Sequence, residues 1–350
     1  MWLDLATILQ DAGLTPWKSE EIGSQRTANG SDVFPNGYVY ATKARQEGSW
    51  PGKIAHLRVF WIRNRSSHVV RTSEGQDAVL RVVAVHDEGR EQLRIWRKLA
   101  TAPHALMCEN HTLPLLQEIN LEHVTFAAFP YVAQPMERIY GGWAKNSVGD
   151  ILDAVMQALE GLSYIHSLGI AHRDAFKYNF LMQFYRESLL TRMVPVSRPR
   201  VYLIDFESAI EFPVECPPSE RLCIGPPCIN SLSDVDKYTA PRIPEMDRWQ
   251  PYDPFKLDVW QLATSLSDFD STLPAVEDVL AYMASDDPAD RLTAHEALSR
   301  LRECLEDMPP KSLLFPPAIQ HGPGYPSSAE LREMCVTRAK SPVVQPTTEI

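Results

Sequence analysis

The sequence predicts an α+β fold in which a strand-rich segment precedes a longer, mostly helical segment. Segments dominated by apolar and β-branched residues predict three strands: 57–62, 78–84 and 126–132. Apolar residues recur at helical spacing within 88–99 and again within 151–165. Gly169 then ends the second predicted helix. Strands followed by helices are typical of an α+β chain.

Composition indicates one domain with additional terminal segments. The chain has 350 residues, of which 44% are hydrophobic, and a domain of about 250 residues would leave the remainder as tails. A net charge of −11 argues against nucleic-acid binding, because phosphate contacts need clustered Lys and Arg. No apolar run approaches the roughly 20 residues of a membrane span, and 1–5 shows no basic leader. We therefore expect an intracellular protein, cytoplasmic or nuclear, with no membrane partner and with reduced cysteines.

The most informative motif lies in the helix-rich segment. Residues 172–179 read His-Arg-Asp-Ala-Phe-Lys-Tyr-Asn, and 203–206 read Leu-Ile-Asp-Phe. Phosphoryl transfer needs an acidic acceptor beside the attacking hydroxyl and two oxygen-bearing side chains that hold Mg²⁺ against nucleotide phosphates. Asp174, Asn179 and Asp205 have these types in this order, so the sequence predicts phosphoryl transfer.

With these motifs the chain resembles the eukaryotic protein kinases over about 55–305. Glu245, after Pro244, is similar to the Glu of the Ala-Pro-Glu motif, and Asp258 to the helix Asp that braces the catalytic loop. Arg291 is similar to the Arg that pairs with that Glu. The resemblance implies a protein kinase-like bilobal fold with a small β-rich N-lobe and a larger, mostly helical C-lobe.

Four segments resemble, more narrowly, the divergent kinase-like proteins of basidiomycete fungi: 110–114, 172–180, 202–207 and 252–258. The resemblance also divides the chain into an N-terminal extension that is partly irregular, an N-lobe with the hinge, a C-lobe, and a Pro-rich tail whose composition predicts disorder. In that order the predicted regions are 1–52, 53–132, 133–308 and 309–350.

The resemblance implies ATP and Mg²⁺ as cofactors and a protein as substrate. Asp174 is then the catalytic acceptor of the hydroxyl proton, and Asn179 and Asp205 are the metal ligands. Lys177 is a further catalytic candidate with two alternatives: it reaches the transferred phosphoryl group, or its side chain points outward.

In the small lobe, Arg81 stands where protein kinases place a Lys that contacts the phosphates. Its expected partner is Glu91 or, in a slightly different alignment, Glu88, although Gln92 occupies the strictest alignment position. The alternative for Arg81 is a solvated strand residue with a surface partner.

The nucleotide base would bind at the hinge. Phe129 holds the gatekeeper position, and Tyr131 and Val132 belong to the hinge. Residues 53–74 contain no Gly, so a loop that folds its backbone over phosphates is not visible, and nucleotide affinity should fall.

Two further departures from the kinase pattern lie in the large lobe. Phe176 holds the place where most Ser/Thr kinases have a Lys, and Glu207 replaces the Gly of the Asp-Phe-Gly motif. Glu207 adds negative charge near the metal site and restricts movement of that motif.

We predict an ATP-dependent protein kinase, of Ser/Thr type, that transfers the γ-phosphoryl group to a protein hydroxyl. The alternative is a pseudokinase acting as a binding or scaffolding module, which Arg81, Phe176, Glu207 and the missing glycines favour. A third alternative is a small-molecule kinase similar to choline or aminoglycoside kinases, but those usually have Gly where this chain has Arg173.

Overall fold

The computed structural model describes residues 2, 4–20, 24–26, 59–61, 66–132, 134–139, 147–183, 199–227 and 238–319. Within them the α-helices are α1 Ala6–Asp11, α2 Arg90–Leu99, α3 Val148–Ser167, α4 Pro244–Asp247, α5 Pro254–Ser265, α6 Pro274–Met283 and α7 Ala294–Leu305. Single turns of 3-10 helix are His104–Leu106, Met136–Arg138, Lys177–Asn179, Phe206–Ser208, Pro218–Glu220 and Pro310–Leu313.

The strands are short apart from β6 and β8. They are β1 Leu14–Pro16, β2 Lys18–Glu20, β3 Ser24–Arg26, β4 Val59–Trp61, β5 Ser67–Thr72, β6 Asp77–Val85, β7 Gln117–Asn120, β8 Val124–Pro130, β9 Gln134–Pro135, β10 Ile170–Ala171, β11 Phe180–Met182, β12 Val201–Leu203, β13 Ile210–Glu211, β14 Cys223–Ile224, β15 Pro251–Tyr252, β16 Phe269–Asp270 and β17 Ala318–Ile319.

The strand-rich part is an antiparallel five-stranded sheet in the order β1-β5-β6-β8-β7. Side chains alternate between its faces because successive Cβ atoms of a strand point in opposite directions. Phe126 and Ala128 of β8 therefore join the apolar cluster that α1 covers. Ala127 and Phe129 join the cluster that contains the buried face of α2. The sheet is thus buried on both faces, and the strands predicted at 78–84 and 126–132 are confirmed.

Several elements of this part were not predicted, and α1 and β1 are two of them. Residues 6–16 show no sustained period in the sequence, yet they form α1 and the edge strand β1. Leu9 and Leu14 are buried in the cluster beneath the sheet. The predicted strand at 57–62 contains β4, which pairs with β3 in a separate sheet, β2-β3-β4.

A glycine makes the connection from β6 to α2 possible. Gly89 has φ of +76°, and a Cβ on it would lie 2.2 Å from the Val83 carbonyl oxygen. Only Gly fits such a position without strain. The turn delivers α2 with Leu93 and Trp96 buried and Glu91 exposed, which confirms the predicted helix.

The helix-rich part is built around α3 and α5. Ser147 and Asp150 form a capping box that begins α3, because each side chain satisfies a backbone N–H of the other. The predicted apolar face of α3 is fully buried and consists of Ile151, Val155, Leu159, Leu162 and Ile165. Helix α3 contacts α7 and β12, while α5 contacts α3, α6, α7 and β10.

An ion pair links α4 to the loop before α7. Arg291 donates to Glu245 at 3.0 and 3.4 Å, and both side chains are buried. Arg291 also donates to the Ser285 carbonyl at 2.9 Å. The predicted pairing of Arg291 with Glu245 is therefore confirmed.

Residues after 308 contact the start of α3. The Phe315 carbonyl accepts the Val148 N–H at 2.9 Å, Leu313 is buried against Gly149, and β17 pairs with β16. The rest of the predicted tail, 320–350, lies outside the described residues.

The combination of one antiparallel sheet with several helices is compatible with the predicted α+β class. Among the residues described, no helix has both the length and the apolar character that crossing a bilayer requires.

Candidate functional site

The loop that carries the predicted motif is held from below by one carboxylate. Asp258 on α5 is fully buried and accepts the backbone N–H groups of His172 at 2.8 Å and Arg173 at 2.6 Å. It also contacts His166 Nε2 at 2.8 Å. Hydrogen bonds to a charged acceptor are stronger than neutral ones, so Asp258 fixes the loop, as the sequence analysis predicted.

Gln261 continues this support one turn further along α5. Its side chain accepts the Ala175 N–H at 2.8 Å and donates to the Arg173 carbonyl at 2.9 Å. Gln261 was not predicted to support the loop, although a polar residue three places after Asp258 lies on the same helix face. This spacing from Asp258 could have identified Gln261 from the sequence.

Asp174 lies in the loop with two donors aimed at it. Asn179 Nδ2 donates to both the carbonyl and the Oδ2 of Asp174 at 2.8 Å, and the Tyr178 hydroxyl donates to Oδ1 at 2.7 Å. Burial raises the pKa of Asp174, and the hydrogen bonds from Tyr178 and Asn179 oppose that rise. The hydrogen bond from Tyr178 was not predicted, because hydrophobic periodicity carries no information about a contact within a loop.

Asp205 follows β12 and faces the same region. It adopts φ of +69°, a left-handed conformation that is uncommon outside Gly and typical of constrained sites. The next residue, Phe206, is fully buried and holds this turn in place. Its ring contacts those of Trp96 and His172, each with centroids 4.9 Å apart. The Trp96 ring in turn contacts that of Phe129, with centroids 4.4 Å apart. A cluster of tilted and edge-to-face rings therefore joins the sheet, α2 and both loops.

Arg81 connects the sheet to this turn. Its Nη2 donates to Asp205 Oδ1 at 3.0 Å and to Glu207 Oε1. Burial works against the charge of Arg81, but the Asp205 and Glu207 carboxylates together raise its pKa above the ordinary value. For Glu207, burial and then the neighbouring Asp205 raise the pKa, while Arg81 lowers it. Arg81 is therefore not a solvated strand residue.

The structure does not bring Glu91 to Arg81. Glu91 is exposed and accepts from Arg94, one turn further along α2. Glu88 is exposed as well. Gln92 is buried, and its Nε2 has no hydrogen-bond partner within the described residues.

Lys177 pairs with Asp268. Its Nζ donates to both carboxylate oxygens of Asp268 at 2.8 Å, and its backbone N–H donates to Ser265 Oγ at 3.0 Å. No signal in the sequence connects positions this far apart, so the Asp268 partner could not be predicted.

The predicted hinge residues follow β8. The Tyr131 N–H donates to the Asp77 carbonyl at 3.0 Å. The rings of Tyr131 and Trp17 are in contact, with centroids 5.8 Å apart. Val132 is buried, and none of the hydrogen bonds found within the described residues involves its amide.

The site offers oxygen ligands for Mg²⁺ and an N–H donor for phosphate, as a magnesium nucleotide would need. Asn179 donates through Nδ2, and its amide oxygen has no partner in the part of the chain that the structure describes. That oxygen and the Asp205 carboxylate are hard ligands of the kind that Mg²⁺ prefers. Arg81 Nε is buried without an acceptor among the described residues, and its N–H could donate a hydrogen bond to a phosphate oxygen. The oxygens of Asn179 and Asp205 are thus the candidate metal ligands, and Arg81 is the candidate phosphate ligand.

Comparison with known proteins gives a partial similarity. No protein-family model matches the chain. A stretch of 108 residues is 34% identical to the serine/threonine-protein kinase ppk8 of Schizosaccharomyces pombe (strain 972 / ATCC 24843). That stretch is 31% of this chain but only 17% of the length of the yeast protein. The similarity indicates a kinase-like relationship for part of the chain.

Proposed function

We propose that this chain is an ATP-dependent protein kinase, of Ser/Thr type, with a bilobal fold. The strand-rich part is its N-lobe, the helix-rich part its C-lobe, and the narrower relationship is to the kinase-like proteins of basidiomycete fungi. The observation that carries the proposal is the convergence of Asp174, Asn179, Asp205 and Arg81 from distant parts of the chain. The partial similarity to a Ser/Thr kinase supports it.

In this proposal each side chain acts through the contacts described above. Asp174, oriented by Tyr178 and Asn179, accepts the proton of a substrate hydroxyl as that oxygen attacks. Asn179 and Asp205 hold Mg²⁺, and Arg81 binds nucleotide phosphates. A bound Mg²⁺ would offset the negative charge of the phosphates during transfer.

A pseudokinase is the second candidate, and two specific contacts favour it. Arg81 is already bound by carboxylates, and Lys177 is paired with Asp268. In this alternative the chain keeps the fold as a binding or scaffolding module.

Thermal shift with magnesium–ATP, followed by radiolabelled phosphate transfer to a generic protein substrate, tests the proposal. We expect nucleotide stabilisation of the parent chain, its loss in Asp205→Asn, and loss of transfer in Asp174→Ala. Asp278→Asn on the exposed face of α6 is the matched control and should behave as the parent.

The outcomes separate the two candidates. Binding and transfer that depend on Asp205 and Asp174 support the kinase. Binding without transfer supports a nucleotide-binding pseudokinase, and no nucleotide effect in the parent chain contradicts the kinase proposal.

A further inference from the structure

We propose that Glu207 makes the site select metal-bound polyphosphate over the metal-free anion. The inference rests on the proposed function for its ligand, ATP, and adds a specificity-determining role for a residue that departs from the kinase pattern. It starts from the contact between Arg81 and the two carboxylates that follow β12.

Arg81 already has anionic partners in the absence of nucleotide. One guanidinium contacts both Asp205 and Glu207, and all three side chains are largely buried, with exposed fractions of 12%, 29% and 16%. Both carboxylates accept from Nη2, so a phosphate that binds at Nη2 must share or replace these partners. The carboxylate of Glu207 is therefore a built-in competitor for the phosphate position.

Arg81 is the cation that pairs with Asp205 and Glu207 among the described residues, so its release leaves both carboxylates without a described counter-charge. Asp205 and Glu207 would then be two partly buried carboxylates facing an anionic ligand, with Asp174 nearby. Lys177 is committed to Asp268 at 2.8 Å. Because unpaired buried charges are costly, the compensating cation has to arrive with the ligand. Polyphosphate that carries a divalent cation satisfies this requirement, and free polyphosphate does not.

The substitution Glu207→Gln tests this inference with little change in shape. Gln keeps an oxygen that can accept from Arg81 but removes the negative charge. We expect ATP in EDTA to bind the variant at least about tenfold more tightly than the parent, since one charged hydrogen bond no longer competes. Affinity for ATP in excess Mg²⁺ should change less. The ratio of metal-free to metal-bound Kd should fall about tenfold.

Isothermal titration calorimetry gives both Kd values without any activity measurement. Glu118→Gln is the matched control, because Glu118 on the edge strand β7 pairs with Arg97 of α2 at 2.6 Å. That variant removes the same charge and the same type of ion pair, and its Kd ratio should equal that of the parent. If Glu207→Gln does not fold, as judged by circular dichroism, Glu207→Ala replaces it.

Each outcome has a distinct meaning. An unchanged Kd ratio in Glu207→Gln, with magnesium–ATP binding intact, overturns this inference and leaves the proposed function standing. Binding by the variant alone also overturns it, because Glu207 would then block nucleotide in both forms. If neither protein binds ATP in either form, the inference and the proposed function fail together. A fall in the ratio that is absent in Glu118→Gln supports the inference.

Discussion

Replacing Asp258 by Asn should loosen the loop that carries Asp174. The side chain is fully buried and receives the N–H groups of His172 and Arg173 and the ring nitrogen of His166. Asn offers one oxygen and turns an NH₂ group toward these donors. At least one charged hydrogen bond is lost, about 1.5–3 kcal/mol, and at least one buried donor is left unpaired, about 1–3 kcal/mol. Together these contributions give an expected loss of unfolding free energy of about 2.5–6 kcal/mol.

Urea unfolding followed by circular dichroism measures this change, and a thermal scan should show a Tm lower by roughly 10 °C. Asp268→Asn is the control, because its carboxylate is 36% exposed and pairs with Lys177 near the surface. Exposed ion pairs contribute about 1 kcal/mol or less. A loss below about 1 kcal/mol in Asp258→Asn would refute the view that this carboxylate holds the loop.

Three other perturbations test the fold. Glu245→Gln leaves the guanidinium of Arg291 buried without its carboxylate, so we expect a loss of about 3 kcal/mol in urea unfolding; a change near zero would contradict this. Gly89→Ala would place a methyl group against the Val83 carbonyl oxygen and should cost about 1–3 kcal/mol in the same assay, whereas an unchanged midpoint would show that the turn relaxes. Burial lowers the pKa of His68 below the ordinary value for histidine. Its contribution to folding stability is therefore present above that ordinary value and is lost as the pH falls below it. The urea midpoint should therefore drop between about pH 7.5 and about pH 5.5, and drop less in His68→Gln; equal drops would rule out this source.

Much of the helix-rich site could be predicted because its parts are local in the sequence. Asp174 and Asn179 lie in one loop, so their contact needs only the correct turn. Asp258 and Arg291 were also predicted with their partners, because each belongs to a motif with a defined order in the chain.

The contact between Arg81 and Glu207 could not be predicted from the sequence. Glu207 was expected to add charge near the metal site, but its contact with Arg81 joins residues 126 positions apart. Such a contact depends on how the sheet and the β12 turn meet, which no periodicity encodes. The same applies to α1 and β1, because elements of six and three residues are stabilised by tertiary pairing more than by their own sequence.

The contact between the residues after 308 and α3 bears on how the protein can be shortened. A chain ending at 308, the predicted C-lobe boundary, would lack the carbonyl that accepts the Val148 N–H and the Leu313 side chain that covers Gly149. The first turn of α3, the helix before the loop that carries Asp174, would then be exposed to water. A shortened chain designed for expression should therefore extend through residue 319, so that β17 keeps its pairing with β16.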